Sequence, residues 1–364
     1  MLMSKPPDPP DRRSSILSVL LLLPYSPASF MQADIEILRR HFNLDVLVHN
    51  RGKVRLALGV LRRLTLHRPD VLLMWFIVPS YALPVALLAR LMGVRVAFVT
   101  GGYDIVGMAD IGFGALRFPI FRLLLRLTIT IADLFLPFSQ SADRQLRKFG
   151  KPRRSRVIYP GVDTAFFTPP AAMTAREPLV LTLSAINAVS VRQKGLDTFV
   201  QAAAYAPQLK WVLVGTALDD SIEHLREIAT PNVEFIDRFV SADELRSLYR
   251  RATCYVQASV HEGFGIAVAE AMSCGAVPVI TRRWSLPEVA GHFGSYVPLN
   301  DPQSVAGAAS ASLHAPDSLR RDLRSRIVRA FPLERREREL TAAILALVPG
   351  CGRLSSDHAA GRLR

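Results

Sequence analysis

Cysteine is scarce in this chain of 364 residues, which holds three: Cys254, Cys274 and Cys351. No two stand at the CxxC spacing of a metal knuckle, and an odd number makes a poor disulfide framework. A disulfide-stapled miniprotein is excluded, and a reducing compartment is the simpler setting. Lysine is scarce too, at 6 of the 45 basic residues. A continuous apolar run of membrane-spanning length is missing. Residues 16–23 are apolar but end at Pro24 and lack a small-residue cleavage site, so they read as a buried first strand and not a signal peptide. Residues 111–138 are the most apolar stretch, yet Arg117, Arg122 and Arg126 interrupt it and Asp133 would sit inside a bilayer. That pattern suits a helix lying on a membrane or buried in the protein, not one crossing a bilayer. No short-period repeat, helix-turn-helix or zinc module is present, and the basic segments lack interleaved aromatic platforms, so nucleic acid is not the expected partner.

What remains is a chain rich in core-forming residues. Half of it is hydrophobic, which excludes a disordered or collagen-like protein, and its length suits two domains of roughly 150 residues each. The net charge of +14 is unevenly held: residues 1–175 carry 23 Lys and Arg against 11 Asp and Glu, residues 176–364 carry 22 against 20. Codon bias explains Arg over Lys but not this asymmetry. A basic half suits an anionic partner.

Strand and helix patterns alternate along the chain. After a Pro-rich, charged leader (1–15), expected to be disordered, apolar strand patterns cover 16–23, 44–48, 71–76, 94–99, 134–139 and 156–159. Helical patterns cover 32–41, 59–66 and 83–92. The stretch 168–177, with Pro169 and Pro170, is unpatterned and marks a linker, bounded at 171–178. The alternation then restarts with strands at 179–184, 211–214, 233–235, 254–257 and 277–280 and helices at 195–203, 223–229 and 242–250, before a tail at 349–364. Short apolar strands bounded by helices imply parallel βαβ units covered on both faces. The expected organisation is therefore a domain at 16–170 and a second at 179–348, with a cleft near the carboxyl ends of the strands.

The chemistry concentrates in Ser259-Val260-His261-Glu262-Gly263-Phe264-Gly265 and the helix pattern that follows, which carries Glu270. Gly263 and Gly265 let backbone approach a ligand without a Cβ in the way. The first N–H groups of the following helix favour a phosphate. Glu262 and Glu270 can address two ends of one extended ligand, each accepting hydroxyls. Their plainer reading is a pair of solvated acids at a helix start. His261 stands as either an orienting core residue or a catalytic one. Lys194-Gly195-Leu196-Asp197 reads as a helix opening, where a lysine opposes the helix dipole and so invites a functional reason. Asp104, after Gly101 and Gly102 at a strand end, is either a helix N-cap or a group that orients or deprotonates an acceptor.

This ordered set resembles the family-4-type retaining glycosyltransferases (glycosyl transferases group 1). The run from Glu262 to Glu270 matches the family's EGFG-x-x-x-x-E signature. Pro160-Gly161-Val162-Asp163 with Phe167 and Pro169, the segment Lys194–Asp197, and Ser285-Leu286-Pro287-Glu288-Val289 with Val297, Pro298, Asp301 and Pro302 follow in family order, as does Ser139 before a helix. The resemblance covers nearly the whole chain. It implies the GT-B fold, an α/β architecture of two Rossmann-like parallel-sheet domains facing a central cleft. It also implies transfer of a hexose-type sugar from a nucleotide-sugar donor, UDP- or GDP-linked, with no metal or other cofactor. By the same resemblance Glu270 binds the ribose hydroxyls and Glu262 lies by the donor sugar. Gly263, Phe264 and Gly265 help hold sugar and phosphates, and Lys194 meets the diphosphate. Charge growing on the leaving diphosphate calls for such preorganised cations and amides.

The departures lie mostly on the acceptor side. Leu183-Ser184-Ala185-Ile186 replaces the family's upstream Arg, for which Arg192 is the candidate substitute. The loop after the first strand, Pro24 to Phe30, has no glycine pair. Gly101 stands where many members carry a His, leaving Gly101, Gly102 and Asp104 on the acceptor side. Arg238 falls where the family's loop nears the nucleobase, with a surface arginine as the other reading. The expected acceptor is a glycan or lipid-linked compound in cell-surface polysaccharide or glycolipid synthesis. The expected location is the cytoplasm, peripheral on the inner face of an anionic membrane. Two alternatives share the fold: a non-catalytic protein that binds glycan or the membrane surface, and a nucleotide-sugar epimerase.

Overall fold

The computed structural model describes residues 16–49, 52–171 and 176–348. The expected leader (1–15), the expected tail (349–364) and the middle of the expected linker (172–175) lie outside the described residues. Two all-parallel sheets are formed. The first holds β1 (Ser18–Leu23), β2 (Asn43–Val48), β3 (Val71–Trp75), β4 (Arg95–Thr100) and β5 (Leu134–Pro137) in the order β2-β1-β3-β4-β5. The second holds β6 (Glu177–Leu183), β7 (Lys210–Val214), β8 (Val233–Ile236), β9 (Ala252–Gln257), β10 (Val277–Thr281) and β11 (Ser295–Val297) in the order β11-β10-β9-β6-β7-β8. Central strands such as β3, Val-Leu-Leu-Met-Trp, are apolar at every position because helices cover both faces and leave no side for water.

Strand order decides where a ligand fits. The first sheet reverses direction between β1 and β3, the second between β6 and β9. Crevices open outside the carboxyl ends of strands at such reversals. The loops after β1, β3 and β9 therefore meet in one cleft between the domains. This arrangement is the GT-B fold.

Three elements differ from the sequence expectation. Residues 156–159 form no strand: Ser155 bridges Phe135, and the segment, hemmed by Pro152 and Pro160, runs past β5 without forming a strand of its own. β11 is only three residues long, too short for a pattern. The last helix, Leu333–Leu345, was grouped by sequence with the second domain but packs on helix Ser29–His41 of the first. Its Arg336 donates from Nε to Asp34 Oδ1 at 2.5 Å and from Nη2 to Oδ2 at 2.6 Å. The same guanidinium donates to the carbonyls of Ile158 and Tyr159, each at 3.1 Å. Both charged side chains are buried, 3% and 0% exposed.

The apolar stretch 111–138 resolves into a short turn, helix Pro119–Ile131 and β5. One face of that helix buries Leu125, Thr128 and Ile129. The other exposes Ile120, Leu123 and Leu127 beside Arg122 and Arg126. Among the described residues no helix is long and apolar enough to cross a membrane.

Candidate active site

The loop after β9 is built by a run of hydrogen bonds that begins inside the sheet. Leu183 N–H donates to the Tyr255 hydroxyl at 3.2 Å, which donates to Gln257 Oε1 at 3.2 Å. Gln257 Nε2 donates to Ser259 Oγ at 2.7 Å, and Ser259 donates to Glu262 Oε1 at 2.9 Å. From β10 and beyond, Thr281 Oγ1 donates to the Ser259 carbonyl, and Ser285 Oγ donates to the carbonyls of Glu262 and Phe264. This run of bonds ends on Glu262 Oε1 and fixes its position.

Lys194 Nζ lies 2.5 Å from Glu262 Oε1. As the sequence reading expects, Lys194 directly precedes a helix start, that of Leu196–Ala202 with Gly195 as its N-cap, but it also ends a helix of its own. Asn187 caps a short helix, Ala188–Lys194, and Lys194 is its last residue. A cation at a helix end is favoured by the dipole and one before a helix start is opposed, so Lys194, standing between the two, carries no net dipole argument. The ion pair, at the centre of the cleft, takes its place.

The cavity between the domains has a volume of about 570 Å³. Its walls include Gly101, Gly102, Asp104, Lys194, Glu262, Gly263, Phe264 and Gly265, so the structure brings these eight expected residues together. Gly263 is where the domains touch: a Cβ there would overlap the carbonyl oxygen of Gly101. Phe264 packs its ring on Phe331 at 5.2 Å and on Tyr159 of the first domain at 5.8 Å, which holds the loop in place.

Three expected residues are placed elsewhere. Glu270, on helix Ile266–Ser273, is not on the cavity wall. Its carboxyl, which accepts from the Tyr249 hydroxyl at 3.2 Å, is pushed by burial up to about 7. Arg192 is exposed on the far side of its helix and off the wall. Arg238 is also off the wall and turned to solvent, where Nη2 donates to Glu244 Oε1 at 2.8 Å. Asp104 is on the wall but engaged. Oδ1 accepts from the N–H of Gly102 at 3.0 Å and of Gly101 at 3.4 Å, and Oδ2 from that of Ile77 at 3.2 Å. Burial raises its pKa, against those donors, which lower it. The carboxylate holds the Gly101–Gly102 turn against the loop after β3.

His261 is buried with its ring on Trp284, centroids 4.3 Å apart, and 5.3 Å from Phe113. Burial first, and Lys194 second, push its pKa down to about 3, so it is neutral.

Sequence reasoning missed the aromatic residues of the opposite wall, among them Tyr25, Phe76, Phe113 and Phe138, and also Gln193. They come from separate loops, and no local pattern joins them. It also missed the work of Glu288. Its carboxylate accepts from the backbone N–H groups of Gln140 and Ser141, both at 2.8 Å, from Ser141 Oγ at 2.6 Å and from the Tyr159 hydroxyl at 3.0 Å, clasping the two domains.

Residues 177–314 match the family described as Glycosyl transferases group 1, and residues 12–166 match Glycosyltransferase Family 4. A D-inositol 3-phosphate glycosyltransferase of Mycolicibacterium vanbaalenii is 28% identical over 232 residues, 57% of this chain and 50% of that protein. A GDP-mannose:cellobiosyl-diphosphopolyprenol alpha-mannosyltransferase of Xanthomonas oryzae is 30% identical over 174 residues, 45% of each. The chain spans about half or less of the length of the first curated relatives it matches. Among solved structures, Anabaena HepE in complex with UDP and glucose superposes with a TM-score of 0.73 at 18% identity, covering 90% of this chain and 99% of that one. Sucrose-phosphate synthase from Thermosynechococcus elongatus gives 0.77 at 17%, covering 91% and 99%. At such identities the likeness establishes the fold.

Proposed function

Because the chain belongs to the family-4-type, group 1 glycosyltransferases, we propose that it moves a hexose-type sugar, with retention, from a UDP- or GDP-linked donor to a glycan or lipid-linked acceptor. The observation that carries this reading is the Lys194–Glu262 pair, held at 2.5 Å in a cavity between the carboxyl ends of both sheets. In transfer, the bond from the sugar to the diphosphate breaks, one to the acceptor oxygen forms, and the acceptor proton leaves. Negative charge grows on the diphosphate. Lys194 and the first N–H groups of helix Ile266–Ser273 stabilise it there, and in this reading no metal is needed. Glu262 faces the sugar, and Glu270 accepts from the ribose hydroxyls. The donor bases are proposed from relatives: HepE was solved with UDP, and the Xanthomonas enzyme is named for GDP-mannose.

A melting screen against UDP, GDP, ADP and CMP tests the donor. At about 100 times its dissociation constant the true nucleotide stabilises by roughly 2.7 kcal/mol, several degrees in Tm. Glu270→Gln is expected to lose that rise. No rise with any nucleotide rejects the reading. The same variant carries a pH signature. The folded carboxyl keeps its proton up to about pH 7, while the unfolded chain releases it from about 4.5. The folded state therefore holds more protons in between, and wild-type stability falls as pH rises through that window. Above pH 7, Glu270→Gln should be more stable than wild type by about 1–3 kcal/mol.

The reading also puts the protein in the cytoplasm, peripheral on the inner face of an anionic cell membrane. Helices Lys53–Leu66, Ala82–Leu91 and Pro119–Ile131 pack side by side on one face of the first sheet. They expose Leu58, Leu61, Leu87, Leu91, Leu123 and Leu127 among Arg62, Arg122 and Arg126. Each arginine near such a surface adds about 1 kcal/mol. The double variant Leu123→Ser, Leu127→Ser should co-sediment with phosphatidylglycerol vesicles at least fivefold less than wild type. Equal binding, or none by wild type, removes the membrane from the proposal.

A further inference from the structure

We propose that the acceptor chamber takes an uncharged hydroxyl compound with an aromatic or alkyl body and rejects phosphorylated polyols; this rests on the transferase reading above. The cavity has two unlike walls. The second domain supplies the polar one: Gln193, Lys194, Glu262 and the backbone at 263–265. The first domain supplies the other, with Tyr25, Phe30, Phe76, Ile77, Phe113 and Phe138.

That second wall is a packed aromatic floor. Phe30, Phe76 and Phe138 surround the Trp75 ring at centroid distances of 5.4, 5.6 and 5.2 Å. Phe113 and Tyr103 meet edge to face at 5.6 Å. Phe138 also fills the volume into which a side chain at position 101 would project, since a Cβ on Gly101 would lie 2.6 Å from its ring. An apolar ring thus stands where position 101 could have offered a polar group. No Lys or Arg belongs to this wall among the described residues, and its one charged side chain, Asp104, already has both oxygens engaged by backbone N–H groups.

An anion entering here would give up its water and meet no free cation, because Lys194 is paired to Glu262 and faces the diphosphate. Burying an unpaired charge costs far more than burying a neutral hydroxyl. An apolar body, by contrast, gains from leaving water. The volume falls within the range of roughly 300–1,000 Å³ that holds drug-sized ligands.

Calorimetry on the full chain, with and without the nucleotide found by melting, compares three probes. These are octyl glucoside below its micelle concentration, methyl glucoside and inositol 1-phosphate. Octyl glucoside should bind at least tenfold tighter than methyl glucoside, and inositol 1-phosphate weakest. Phe113→Arg, a loop position whose folding is checked by its melting curve, should weaken octyl glucoside about tenfold and strengthen inositol 1-phosphate by a similar factor. Equal or tighter binding of methyl glucoside or inositol 1-phosphate to wild type overturns the proposal. So does octyl glucoside binding that Phe113→Arg leaves unchanged, which would put the alkyl chain on the surface. A chain that binds nucleotide but prefers inositol 1-phosphate keeps the transferase and loses the chamber. One that shows the octyl preference without binding any nucleotide keeps the chamber and loses the transferase.

Discussion

Lys194→Met should lower turnover by about 10²–10³-fold, the loss typical when one preorganised charge donor is taken from a developing anion. Lys194 supplies the cation on the polar wall of the cavity, and its partner Glu262 is only 9% exposed at the side chain. Removing the ammonium leaves that carboxylate buried with Ser259 as its remaining side-chain donor. The variant should therefore also be less stable, and Lys194→Met with Glu262→Gln should recover stability without recovering turnover. Lys194→Arg, which keeps the charge, should retain more activity than Met. Steady-state kinetics beside chemical denaturation separates the two effects. A Lys194→Met enzyme within threefold of wild type would remove Lys194 from the chemistry.

Arg336→Met has the largest effect expected on stability. Arg336 makes two bonds to Asp34 and two to backbone carbonyls in a site with almost no exposure. Deleting one partner strands Asp34 as a lone buried charge, a loss of about 3–5 kcal/mol in comparable cases. Because the pair ties the final helix to the first domain, the loss should appear as weakened docking of residues 333–345, read by faster amide exchange there. Asp34→Asn should be similarly harmful. The pair of substitutions Asp34→Leu with Arg336→Met should be far milder than either polar deletion, since two apolar groups can replace a buried ion pair at little cost. If Arg336→Met unfolds within 1 kcal/mol of wild type, the pair is not what holds the helix.

Much of this architecture was legible in the sequence. Runs such as 71–75 announce a doubly covered strand, and the alternation of such runs with helical patterns announces two parallel sheets. The stretch from Glu262 to Glu270 was legible for the same local reason: glycines, carboxylates and a helix start lie within nine residues. What stayed hidden depends on distant segments. Asp34 and Arg336 are 302 positions apart. The aromatic wall draws on loops after β1, β3 and β4 and on the residue that follows β5. Glu288 sat within a recognised segment, yet only the fold reveals that it reaches across to Ser141. Lys194 was singled out on a helix-start argument; it does precede the helix Leu196–Ala202, but it also ends the helix Ala188–Lys194, and two helices abutting at one glycine leave the dipole argument without a sign.

The contact of Gly263 with the Gly101 carbonyl acts as a mechanical stop. Main chain rests on main chain there, with no room for a side chain between the two halves. Any side chain at 263 would prop the halves apart by about the width of a methyl group. In the transfer proposed above, a gap of that size would let water reach the reacting carbon and compete with the acceptor, so the missing Cβ would set the partition between transfer and hydrolysis of the donor.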